Sequence, residues 1–177
     1  MGKSVDSPFY EKVTQLFSGK SIIYQRAIDL VKSAKKSILF ASPFVPDEEL
    51  LEEMIKKAEV GVSVDMLTSH SEHKVFQTLP HVVGYWRYLW DTKFLHEAGA
   101  AKMRIHHHSS EEVHAKWLMI DALEDGFNRT KSGVIFTGSD NLIKAGARFG
   151  TKETMVQSTD PSFLTQANKI VRAAWFP

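Results

Sequence analysis

Between Ser21 and Leu67 the chain switches twice from helical to strand patterning, and this constrains the fold more than any other stretch. Ile22, Ile23, Ala27, Leu30 and Val31 recur at helical spacing, and SILFAS (37–42) then reads as a buried strand. Pro46, Asp47, Glu48 and Glu49 open a second helix to about Ala58, with acids where the helix dipole favours them. Gly61 follows, and VSVDML (62–67) is the next strand. Two strands separated by a helix cannot close as a hairpin. They pair in parallel, with the helix as crossover.

The rest of the 177 residues extends this pattern. Strands are expected near 102–107, 113–121, 133–138 and 152–158. A long helix is expected over Val82 to Glu97, and a final one from Asp160-Pro161 to about Trp175. The helix with Tyr85, Trp86, Tyr88, Leu89 and Trp90 carries more aromatic surface than one stripe holds, which suits a core or a subunit interface. The spacing implies an α/β class: a mixed, partly parallel sheet flanked by helices on both faces. The length suits one domain, with a core over 21–175 and an N-terminal extension over 1–20. In that extension Ser7-Pro8 starts a short helix ending near Gly19.

Composition removes several function classes. Cysteine is absent, so disulfides, thiolate metal sites and cysteine nucleophiles are excluded. No apolar run approaches the roughly 20 residues of a membrane span. MGKSVDSPFY has no apolar signal segment. The expected location is cytoplasmic or peripheral to a membrane. A formal net charge of +1 gives no global basic field for nucleic acid, though a local groove remains open.

The chemistry gathers around VHAKWLMID (113–121), which mixes core residues with His114, Lys116 and a closing Asp121. In a strand, residues two apart share a face, which pairs His114 with Lys116. A cation beside an imidazole favours the neutral, nucleophilic ring. Gly138-Ser139-Asp140-Asn141 ends another expected strand. Gly138 permits close approach of a phosphate, and Ser139 and Asn141 can donate hydrogen bonds to it. Glu153, in a strand with Thr154, Met155 and Val156, suits the carboxylate that fixes the His114 tautomer. A nucleophile, a cation, two neutral donors and an orienting acid suit in-line attack on a phosphodiester.

His114-x-Lys116 with Asp121, followed by Gly138-Ser139-x-Asn141, resembles the HxKx4D…GSxN signature of the phospholipase D superfamily. The likeness covers roughly Ser21 to Trp175 and implies a single phospholipase-D-like domain over 1–177. It implies His114 as a nucleophile forming a phosphohistidine. Lys116, Ser139 and Asn141 then hold the phosphate, and Glu153 orients His114. Asp121 and Gly138 are structural members of the motif. No cofactor and no metal are implied. The stretch from Asp125 to Ser132 resembles an insertion between the motif halves.

The family's chemistry uses two histidines, and this chain has one such motif. The second motif comes from a homodimer partner on a two-fold axis, or from a missing half of a longer enzyme. The expected substrate is a phospholipid or other phosphodiester, with nucleic acid as the alternative of a metal-independent endonuclease. A non-catalytic phosphate-binding or assembly half-domain is the reading from another class. His106, His107 and His108 tempt a metal reading. Two histidines on one strand face make a thin ligand set, so an edge strand or a cleft wall is preferred.

Overall fold

A computed structural model describes residues 14–44, 46–69, 99–108, 114–122, 133–142 and 153–175. The expected aromatic helix 82–97 and the Asp125–Ser132 insertion lie outside these residues. The described elements are β1 (Thr14–Ser18), α1 (Lys20–Ser33), β2 (Ser37–Ala41), α2 (Glu48–Glu59), β3 (Ser63–Ser69), β4 (Arg104–His108), β5 (Trp117–Ile120), β6 (Val134–Gly138), β7 (Thr154–Ser158) and α3 (Pro161–Trp175).

The strands form one seven-stranded sheet in the order β1-β7-β6-β5-β2-β3-β4. The expected parallel pair is there: Ile38 lies opposite Val64 and Phe40 opposite Met66. β4 continues the parallel half, while β5, β6, β7 and β1 are antiparallel to their neighbours. The chain is therefore α/β with a mixed sheet.

Strand alternation gives the sheet two apolar faces. Ile38 and Phe40 of β2 face α1 and α2, together with Val64, Met66, Leu118, Ile120, Phe136 and Met155. From α1 come Ile23, Ala27, Leu30 and Val31, and from α2 Leu50, Leu51, Met54 and Ile55, all buried. Leu39 of β2 faces the other way, joining Met119, Ile135 and Leu164, Ala167 and Val171 of α3. Each Val, Leu, Ile, Phe or Met among them contributes roughly 1.5–3 kcal/mol by leaving water. Between β3 and β4, Arg104 donates two hydrogen bonds of 2.6 Å to the buried Asp65, fixing the register of the outer parallel strand.

One expectation fails. The short helix expected to end near Gly19 does not extend over its described part, Thr14–Ser18, which is the edge strand β1. Backbone pairing with β7 decides the matter, from Thr14 opposite Ser158 to Ser18 opposite Thr154. Phe17 then packs edge-on against Phe136, with ring centroids 5.5 Å apart.

Candidate active site

The topology brings the motif halves to one end of the sheet. β5 runs antiparallel to β2, so Trp117 lies opposite Ala41 at the carboxyl end of β2. β6 is antiparallel to β5, which sets Thr137 opposite Trp117 and sends Ser139–Leu142 out at the same end. β7 begins there too, with Gly138 opposite Met155. The parallel strands β2, β3 and β4 all finish at this end, the usual location of ligand sites in open α/β sheets.

The strand of the first motif is shorter than the sequence suggests. β5 starts at Trp117, and His114–Lys116 precede it outside the ladder. His114 is exposed, and its imidazole has no hydrogen-bond partner among the described residues. Lys116 is half-buried; its Nζ donates to the His114 carbonyl at 3.2 Å. The Lys116 carbonyl accepts from Thr137 Oγ1 at 3.0 Å, which ties this segment to β6.

Ser139 and Glu153 meet directly: the Ser139 hydroxyl donates to Glu153 Oε2. The same hydroxyl oxygen accepts the Thr154 N–H at 3.1 Å, and the Ser139 N–H donates to the Thr154 carbonyl at 3.0 Å. Glu153 therefore takes a hydrogen bond from Ser139, where the sequence suggested His114 as its partner.

Asn141 is held by its surroundings rather than by its side chain. Asp140, 1% exposed, accepts the Leu142 N–H at 2.6 Å and closes a turn in which Leu142 has a φ of 55°. The Asn141 carbonyl accepts from Ser42 Oγ at 3.2 Å. Its Oδ1 is buried without a hydrogen-bond partner among the described residues. Sequence reasoning missed Ser42. Its signal is positional: a small polar residue closes the first parallel strand, at the end where sites form.

Gly138 has a packing reason of its own. A Cβ there would lie 2.1 Å from the Thr154 carbonyl oxygen and 2.8 Å from Met155 Cα. The missing side chain makes room for β7.

Asp121 lies at the opposite end of β5. Its Oδ1 accepts the N–H groups of Lys35, Lys36 and Ser37 at 3.1, 2.7 and 3.0 Å, and Oδ2 takes Lys35 again at 3.1 Å. This carboxylate closes the turn from α1 into β2, well away from His114.

His106, His107 and His108 end β4 opposite Leu67, Thr68 and Ser69, at the same sheet end as His114. Their side chains, and the neighbouring Glu111 and Glu112, lie outside the described residues. Among the described residues no three His, Asp or Glu side chains gather as a metal site. No helix of the described residues is long and apolar enough to cross a membrane.

Comparisons with known proteins follow the same outline. The family model described as "Cardiolipin synthase, PLD-like domain" matches residues 27–175. No curated protein sequence matches the chain. Among solved structures, a phospholipase D family member, Nuc from Salmonella typhimurium, superposes with a TM-score of 0.66 at 14% identity. That match covers 92% of this chain and 93% of Nuc. TrmBL2, an archaeal chromatin protein described with a novel mode of DNA binding, matches with a TM-score of 0.60 at 17% identity over 97% of this chain and 55% of its own. Phosphatidylserine synthase from Haemophilus influenzae matches with a TM-score of 0.62 at 15% identity, over 91% of this chain and 37% of its own.

Proposed function

This chain belongs to the phospholipase D superfamily, and on that premise we propose that it cleaves or transfers a phosphodiester through a phosphohistidine on His114. One observation carries the reading. His114 and Lys116, the Ser139–Asn141 turn and Glu153 project from adjoining strand ends at the carboxyl end of the parallel strands.

In the proposed reaction a neutral His114 nitrogen attacks phosphorus and the leaving oxygen departs opposite it. Lys116, Ser139 and Asn141 hold the equatorial oxygens as charge develops there. Glu153 orients the imidazole. A second His114, from a two-fold copy of this single domain or from another half of a longer chain, protonates the leaving oxygen. Water or an alcohol then displaces the phosphoryl group from His114. The near-neutral surface favours a phospholipid over a polyanion, whose binding rewards basic charge. A metal-independent endonuclease is the second reading, favoured by the likeness of 97% of this chain to part of a DNA-binding chromatin protein.

Bis-p-nitrophenyl phosphate tests the first step, because its leaving group departs as an anion without the second histidine. Alkaline quench and mass spectrometry are expected to find an adduct on the His114 peptide, formed equally in EDTA and lost in His114→Ala. An undiminished burst in that variant overturns the reading. Competition of phosphatidylcholine micelles against single-stranded DNA then ranks the two substrate classes.

A further inference from the structure

The Ser139 hydroxyl has one proton and cannot give it to two acceptors at once. In this structure the nearer acceptor of that proton is Glu153 Oε2, the Thr154 carbonyl lying farther off at 3.4 Å, and the oxygen is occupied by the Thr154 N–H. The two groups assigned to separate tasks, phosphate binding and histidine orientation, are therefore paired with each other. Meanwhile the His114 imidazole has no partner among the described residues, and the Asn141 amide oxygen is buried and unpaired. Among the described residues the acid is hydrogen-bonded to Ser139 and not to the nucleophile.

We propose that substrate binding exchanges these pairs: an incoming phosphoryl oxygen takes the Ser139 hydroxyl proton as a hydrogen bond, and the released Glu153 carboxylate takes the His114 N–H. No covalent bond changes in this step. The Ser139 O–H turns about its Cβ–Oγ bond, and the Thr154 N–H keeps the oxygen in place while it does so. Ser139 is thus both a phosphate donor and a positioning residue acting on His114 through Glu153.

The physical drive is the charge of the new acceptor. A phosphoryl oxygen beside Lys116 and Asn141 replaces the carboxylate as acceptor, so Ser139 loses no charge-assisted hydrogen bond. Glu153, having lost its hydroxyl donor, gains the imidazole N–H. Because anion binding and imidazole orientation share one proton, each favours the other by the same free energy. The nucleophile is fixed in its attacking tautomer when a phosphate is present and released when it leaves.

This inference rests on the phosphohistidine reading above, and one experiment separates their failures. Histidine side chains are labelled with nitrogen-15, and the ring nitrogens of His114 are followed while inorganic phosphate is added. In the wild type, nitrogen shifts averaged over both tautomers are expected without phosphate, moving to those of one tautomer at saturation. In Glu153→Gln phosphate is expected to bind without fixing the tautomer. In Ser139→Ala, where the carboxylate is free from the start, one tautomer is expected before any phosphate is added. If Ser139→Ala does not fold, the comparison of wild type with Glu153→Gln still decides. A wild-type ring already in one tautomer at rest, or one unmoved by bound phosphate, overturns the exchange while leaving the His114 adduct intact. Failure of phosphate to bind at all overturns both.

Discussion

The two ends of β5 are built to opposite rules. At one end Asp121 collects backbone N–H groups from Lys35, Lys36 and Ser37, so the backbone donors of the turn from α1 into β2 are satisfied within the protein, while Ser37 Oγ stays buried without a hydrogen-bond partner among the described residues. At the other end His114 has no partner among the described residues, and Asn141 keeps a buried oxygen unpaired. A single nine-residue stretch, VHAKWLMID, thus carries a hydrogen-bonded anchor at one end and an exposed imidazole at the other.

The largest expected contrast comes from His114→Ala. Loss of a nucleophile is expected to lower the rate on bis-p-nitrophenyl phosphate by about four orders of magnitude or more. The urea midpoint should stay put, because an exposed side chain without partners contributes within about 0.5 kcal/mol. A stability loss matching the activity loss would erase the difference between the two ends.

Gly138→Ala strikes where site and scaffold share atoms. The new Cβ meets the Thr154 backbone, so β6 and β7 must part. A loss of about 3 kcal/mol in urea unfolding is expected, the upper part of the overpacking range. Activity should fall too, since those strands carry Ser139 and Glu153. Full activity per folded molecule would mean that the spacing of β6 and β7 does not set the site.

Asp121→Ala isolates the anchor. Three backbone donors lose their acceptor at a partly solvated turn, for an expected loss of about 2 kcal/mol. The kcat of the molecules that remain folded is expected to be unchanged. A collapse of kcat at preserved stability would move Asp121 from scaffold to chemistry.

Much of this architecture was legible because local and tertiary signals agree. The runs at 37–42 and 62–67 are apolar and helix-separated, and they became β2 and β3. Pro161 opens α3 as its rigid φ suggests. β1 was not legible because TQLFS has no strong strand preference; the open edge of β7 chose its conformation. What packs against Gly138 was not legible, since sequence shows that a side chain is missing but not what fills the space. The types of residue at the site were readable, but the pairing of Ser139 with Glu153 was not. That pairing depends on the register of β6 against β7, which no motif encodes.

The smallest expected effect tests whether the parallel half of the sheet steadies the site on the antiparallel half. Ser42 ends the first parallel strand, 1% exposed, and its hydroxyl donates to the Asn141 carbonyl at 3.2 Å while accepting the Phe44 N–H at 3.3 Å. Both bonds are long, so Ser42→Ala should cost only about 1 kcal/mol of stability. Its kinetic signature is more specific. A loosened Asn141 weakens phosphate binding in ground state and transition state alike, so KM should rise severalfold with kcat little changed. A lowered kcat at constant KM would instead mean that Ser42 shapes the transition state, and that the boundary between anchor and site runs through β2.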